Sequence, residues 1–335
     1  MRARMIAIIL LGAVLIPAPL WAWGFEAHRI VNRGALEITP EPLRSFLMHY
    51  EGEIVAHAVD PDLWVEAKVL APAWTHFIDL DLLDNAPFRN IPNSWNGALA
   101  KYGAQKLEKA GTLPWEIDRR ERLMSEAMRR GAWDNAVREA AWIGHYAADS
   151  TMPLHATKDY RGEAAGNVVL KERGPNRTAH QRIEVGLVQH SGRLYESVRG
   201  DPSKVGRRAT LAEAWRSVHD GFALVAAALK ADREASDIDP AFGRAFYEEL
   251  ERREGAAMRR QLARAQEMVA SAWLTAWQEA GAPAPPKVLP AVVWPEVGAR
   301  APTNASTWSI VAAIILAVLT AFGVIRRRRR RMRIL

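Results

Sequence analysis

Between residues 23 and 280, apolar positions recur at three- and four-residue intervals far more often than they alternate, a pattern that predicts helices rather than strands. Residues 133–149 carry it most clearly: Trp133, Val137, Ala141, Gly144 and Ala148 fall on one stripe of a helix. The stretch 118–130, rich in Glu, Arg, Met and Leu, reads as a second helix led in by Thr112, Leu113 and Pro114. Pro40 and Pro42 open another, because proline fits a first helical turn. Segments 178–198, 211–235 and 240–279 continue the theme, strand signals are few and short, and no repeat of solenoid length occurs. The longest loops are expected at 58–95 and 156–178. The expected architecture is one all-α, multi-helix domain covering residues 23–280.

Two apolar runs lie outside this periodicity. Near the start, Arg2 and Arg4 precede the 11 apolar residues 6–16, and Ala22 follows as a small residue at a cleavage point. That is the form of a secretory signal peptide over 1–22, too short to span a bilayer comfortably. Cleavage after Ala22 would make Trp23 the new amino terminus. Near the end, residues 308–325 give 18 positions without a charge, followed at once by six arginines and, after Met332, a seventh. At 1.5 Å per residue the run measures about 27 Å, close to the hydrocarbon core of a membrane. The expectation is a transmembrane helix over 307–325 and a basic cytoplasmic tail over 326–335, with the body outside, periplasmic or extracellular. A Pro- and Ala-rich stretch, 281–306, reads as a stalk between body and anchor.

The net charge of +7 changes little once it is located. Nine of the 45 basic residues are Arg2, Arg4 and the seven arginines of the tail; the remaining 36 face 38 acidic residues. A body this close to neutral argues against a groove for a phosphate backbone. The chain has no cysteine, so neither disulfides nor thiolate metal sites are possible, and any metal must be held by nitrogen and oxygen.

Nine histidines are present, and five stand in contexts that suit metal ligation. His145 and Asp149 are four apart on a predicted helix, one turn apart on the same face, within reach of a common ion. Pro153 then breaks the helix and sends His155 back toward the same region. His180 and Glu184 repeat the four-residue spacing on another helix. His76 follows a loop that supplies Asp60 and Asp62, and His28 lies five residues after Trp23. Each pair alone would be an ordinary surface or core pair; several in one exported, cysteine-free chain point to zinc. His49, His57, His190 and His219 lack such context and read as surface or packing residues, with His57 the one expected beside the site.

The segments Trp23-Gly-Phe-Glu-Ala-His28, Val59-Asp60, His76-Phe-Ile-Asp79, His145 to Asp149 with His155, and His180-Gln-Arg-Ile-Glu184 resemble, in order, the superfamily of zinc-dependent phospholipases C and single-strand-specific nucleases. The resemblance covers residues 23–184 and implies three zinc ions. Asp60, His76, His145 and Asp149 would hold the first. Trp23, through its amine and carbonyl oxygen, would hold the second with His28 and the bridging Asp149, and His155, His180 and Glu184 the third. It also implies phosphodiester hydrolysis by water activated between the ions, with Asp60 or Asp62 orienting that water. Spacing does not decide between those two aspartates; Asp60 is favoured because it directly follows an apolar residue, as in the family pattern. Arg161 and Arg182 could meet a phosphate, but nothing singles either out above a solvated role.

For the substrate, Glu184 follows the lipase form of the last motif, the body is near neutral, and an anchor would keep the enzyme at a membrane. A phospholipase C acting on phospholipid, as a monomer, is therefore the leading expectation, although Pro61 stands where the lipases' aromatic head-group contact is expected. An exported single-strand nuclease or 3'-nucleotidase acting on nucleic acid is the alternative. A non-catalytic zinc-stabilised adhesion domain is the bland one.

Overall fold

The computed structural model describes residues 24–68, 71–171 and 176–295. The expected signal peptide, Trp23, the run 307–325 and the basic tail lie outside the described residues. Among the described residues, no helix is long and apolar enough to cross a membrane.

The chain enters through α1 (Glu26–Ile38) and three short helices, α2 (Leu43–His49), α3 (Glu51–Ala56) and α4 (Asp60–Ala67). Next come α5 (Leu80–Leu83), α6 (Trp95–Tyr102) and α7 (Ala104–Ala110), α6 being capped by Ser94 Oγ, which accepts from the Gly97 N–H at 3.2 Å. The long pair α8 (Leu113–Arg129) and α9 (Trp133–Thr151) is joined through Gly131, whose φ of 71° is the left-handed turn that reverses the chain. α10 (Ala179–Gln181) runs without a break through the π-helical turn Arg182–Gly186 into α11 (Leu187–His190), and α12 (Gly192–Glu196) follows. The C-terminal half is α13 (Thr210–Ile238), then α14 (Arg244–Leu250), which continues through the π turn Glu251–Gly255 into α15 (Ala256–Glu279). No strand occurs among the described residues, only an isolated bridge between Ile78 and Gly111. The helical expectation therefore holds, and the segment 58–95 is less of a loop than its sequence suggests, since it contains α4 and α5.

At the centre lies α9, packed on α1, α8, α13 and α15. Its expected apolar stripe is buried, but so is every residue from Glu139 to Thr151, polar ones included. Small side chains allow this. A Cβ at Gly144 would stand 1.4 Å from Asn32 Oδ1, so only glycine lets α1 come this close. Asn32 uses the approach: its Nδ2 donates to the carbonyls of Ile54 and Ala141, both at 3.0 Å. The contact locks α1, which carries His28, against α9, which carries His145 and Asp149. Gly34 makes the same kind of room for Gln266 of α15.

After α15 the described part of the Pro- and Ala-rich stretch runs back along the body. Tyr50 Oη donates to the Pro290 carbonyl at 2.8 Å, and the Trp294 indole donates to Glu53 at 3.1 Å. The Trp294 ring also lies flat on His57, centroids 3.7 Å apart.

Candidate metal centre

Five histidines and three carboxylates from four parts of the chain converge into three adjoining clusters. His28 on α1 meets His145 and Asp149 on α9; Asp62 on α4 meets His76 and His145; His155 meets His180 and Glu184. Within each cluster the facing nitrogen and oxygen atoms lie within 4.8 Å of one another. Asp149 belongs to more than one neighbourhood. Its Oδ2 is 3.1 Å from His76 Nδ1 and 3.3 Å from His145 Nε2, while its Oδ1 is 3.8 Å from His28 Nε2 and 3.5 Å from His155 Nδ1. Glu184 Oε2 stands 2.8 Å from His180 Nε2, and Oε1 stands 3.1 Å from His155 Nε2.

The donor set fits a divalent ion in three independent respects. First, ring nitrogens face one another, at 3.0 Å for His145 Nε2 and His76 Nδ1 and 2.8 Å for His155 and His180. Tetrahedral zinc with bonds near 2.0–2.1 Å sets neighbouring nitrogens about 3.3 Å apart, so these separations need only a small adjustment. Second, the tautomer of His145 is fixed from behind: Nδ1 donates to the Ala58 carbonyl at 2.8 Å, which leaves Nε2 with a lone pair aimed at the cluster. Third, buried polar atoms here lack hydrogen-bond partners, among them both nitrogens of His28, Asp62 Oδ2, Asp149 Oδ1, His155 Nδ1 and both oxygens of Glu184. Orphaned buried polar atoms are rare in folded proteins, and their concentration at one place calls for a missing partner. The Glu184 oxygens are close to imidazoles yet poorly aligned for hydrogen bonds, as lone pairs converging on a common cation would be.

Burial and neighbouring charge pull against each other across the clusters. Burial opposes a charge on Asp149, but His145 and His155 hold its carboxyl well below the ordinary carboxylate range. Burial likewise disfavours protonation of His155, but Glu184 and Asp149 outweigh it and lift its pKa to about 9. His28 shows the reverse: burial, then the neighbouring His145, push it well below the usual imidazole value. Burial raises Asp62 to about 6 against the pull of His145 and His76. A dication held here would favour the ionised carboxylates and neutral imidazoles that ligate it.

A cleft of about 410 Å³ opens onto the second and third clusters, reaching Asp62, His76, His155 and His180. Val65, Ala73, Phe77 and Leu154 give it apolar walls, Tyr160 stands edge-on to His180, and Lys109 and Asp79 add an ammonium and a carboxyl group. Burial, and Asp81 next, raise the Asp79 carboxyl to about 7.

Of the sequence-derived ligands, His28, His76, His145, Asp149, His155, His180 and Glu184 are brought together here, and Trp23 lies outside the described residues. Asp60, favoured over Asp62 from the sequence, is corrected by the geometry. Both sit in the first turn of α4, where residues two apart point about 200° away from each other, so one alone can face the cluster. Asp62 does. Asp60 turns away, its Oδ2 accepting from His57 Nδ1 at 2.9 Å and from the Trp142 indole at 3.4 Å. His57 thus lies beside the site, as expected. Arg182 neither reaches the cleft nor meets solvent; it is fully buried in a two-pronged pair with Asp232, both contacts at 2.6 Å. Arg161 pairs with Glu163 at 3.2 Å. The cleft walls were missed from the sequence, although Phe77 and Asp79, immediately after His76, could have been flagged by adjacency alone.

Comparison with known families and curated proteins gives no match: no family model fits the chain, and no curated protein is detectably similar.

Proposed function

We propose that the chain is a zinc-dependent phosphodiester hydrolase of the phospholipase C type. The observation that carries this reading is the adjacency of three nitrogen-and-oxygen clusters, joined by one aspartate, to a cleft with otherwise mainly apolar walls. Asp62, His76 and His145 with Asp149 would hold one ion, His28 and the other oxygen of Asp149 would contribute to a second, and His155, His180 and Glu184 would hold the third. Bound there, divalent ions supply Lewis acidity, which makes water nucleophilic near neutral pH and offsets charge growing on a phosphate.

The protein's own groups do the rest. Three carboxylates against three dications leave a surplus of positive charge, which selects an anionic substrate. Asp62, which lines the cleft, would orient water, the role that the sequence left between Asp60 and Asp62. The Asp79 carboxyl lines the same cleft and would accept a hydrogen bond from water held there. Val65, Phe77 and Leu154 exclude water and cover the apolar part of the substrate, and the Lys109 ammonium complements a second negative charge.

The test is turnover by the zinc-loaded chain of phosphatidylcholine against single-stranded DNA, with chelation and zinc add-back in parallel. Release of phosphocholine, abolished by chelator and restored by zinc, is the expected result. DNA cleavage with inert lipid would transfer the reading to the nuclease branch, which the Phe77 and Tyr160 rings also favour as stacking surfaces for bases. Zinc content without any turnover would leave a structural metal domain.

A further inference from the structure

Beside the cleft runs the segment 156–171, and its base is held with unusual firmness for a loop. The Asp159 carboxylate accepts from the N–H groups of Ala164 and Ala165 at 3.0 and 3.1 Å. Asn167, buried, donates from Nδ2 to the Leu229 carbonyl at 2.8 Å and to Asp232 at 2.7 Å, and Arg233 donates to the Ala165 carbonyl at 2.6 Å. These bonds tie the loop to α13. Directly after the clamp, Val168 and Leu170 stand 41% and 37% exposed, and Lys171 is exposed next to them. On the limb that walls the cleft, Tyr160 is 42% exposed, with exposed Lys158 two residues before it. A lone exposed apolar side chain is ordinary, but apolar residues held outward by a buried hydrogen-bond network, next to a cleft and flanked by lysines, mark an interaction surface.

We infer that this loop is a membrane-docking element. Val168, Leu170 and Tyr160 enter the outer part of a lipid bilayer, Lys158 and Lys171 meet anionic head groups, and the cleft is held with its mouth against the surface. The inference rests on the lipid reading of the cleft and deepens it: the substrate is phospholipid in a bilayer rather than a dispersed ester. Val168 and Leu170 are aliphatic and offer a base no ring to stack on, which favours the acyl region of a bilayer as what covers them.

The absence of cysteine from the whole chain makes the test clean. Leu170→Cys and, as a control on an exposed turn, Ser203→Cys are each labelled with an environment-sensitive fluorophore in the full-length protein. Both are reconstituted into phosphatidylcholine vesicles containing some phosphatidylserine. Lipid-borne nitroxides should quench the label at 170 and spare that at 203. In parallel, the double variant Val168→Ser, Leu170→Ser should turn over bilayer phosphatidylcholine about tenfold more slowly, with turnover of short-chain monomeric phosphatidylcholine unchanged. Absence of quenching at 170, or equal losses on both substrates, overturns the docking role. Quenching at 170 by a chain that hydrolyses no phospholipid would keep the docking role and remove the catalytic reading.

Discussion

Replacing Asp62 by asparagine removes a carboxylate 3.5 Å from His76 Nδ1 and 3.6 Å from His145 Nε2. Structural zinc sites bind with about 10–16 kcal/mol in total, so one ligand of four accounts for about 2.5–4 kcal/mol. An amide oxygen remains as a weaker, neutral donor, which brings the expected loss to about 2–3 kcal/mol, roughly a 30- to 150-fold rise in Kd for one ion of the three. Asp60→Asn should behave differently. Its carboxylate accepts from His57 and Trp142 and faces away from the clusters. Asparagine can still accept one of those bonds, so the effect belongs at the low end of what supporting residues cause, about tenfold. The measurement is calorimetric titration of zinc into chelator-stripped protein, with ions per chain counted by emission spectroscopy after gel filtration. Loss of an ion from Asp60→Asn, with the full complement retained by Asp62→Asn, would refute the assignment of the two faces of α4.

Three further outcomes follow from the packing. Gly144→Ala would drive a methyl group into Asn32, whose amide bridges α1 and α9, and should lower stability by about 3 kcal/mol or more by thermal denaturation; a shift under 1 kcal/mol would mean the crossing can relax. Asp232→Asn leaves the fully buried Arg182 without its counter-charge and should cost about 3–5 kcal/mol, whereas pairing it with Arg182→Met should recover much of the loss; additive losses would argue against a coupled pair. Burial, then Glu279 and Asp118, raise the Glu121 carboxyl from near 4.5 to about 7, so the folded state keeps a proton that the unfolded state releases. Its contribution is complete below about pH 4.5 and lost as pH rises through 7, so Glu121→Gln should gain on the order of 1–2 kcal/mol at pH 8, after allowance for solvent screening, and almost nothing at pH 4.5. A gain independent of pH would sink that account.

What could be read from the sequence follows from how local each geometry is. His145 with Asp149, and His180 with Glu184, are legible because one helical turn fixes their relation whatever the remainder of the chain does. Even the π turn that begins at Arg182 leaves the second pair converged, at 2.8 Å. The choice between Asp60 and Asp62 was not legible. Reading 58–95 as loop hid α4, and a helix assignment would have shown that the two aspartates face apart without saying which faces inward. Arg182, two residues from each flanking ligand, points away from the site for the same reason, but its partner Asp232 lies 50 residues along the chain and gives no local signal. The cleft walls are harder still. Val65, Lys109 and Tyr160 come from three separate segments, and only the packing of the helices places them together.

The two oxygens of Asp149 look in different directions, toward His76 and His145 on one side and His28 and His155 on the other, so a single carboxylate forms the shared wall of the centre. Helix register therefore matters more here than any one ligand. Rotation of α9 would displace His145 and Asp149 together, and would carry with it the turn at Pro153 that delivers His155. The close approach at Gly144 and the bond from His145 Nδ1 to the Ala58 carbonyl both oppose that rotation. His180 and Glu184 stand apart from this control, because their helix is fixed by Arg182 and Asp232 against α13. The site thus has two mechanical supports: a rigid one in the core, where two clusters share an aspartate, and a second on α10 and the following π turn, which closes the third cluster against His155. Disturbing the first support should affect every cluster, whereas loosening the second should affect the third cluster alone.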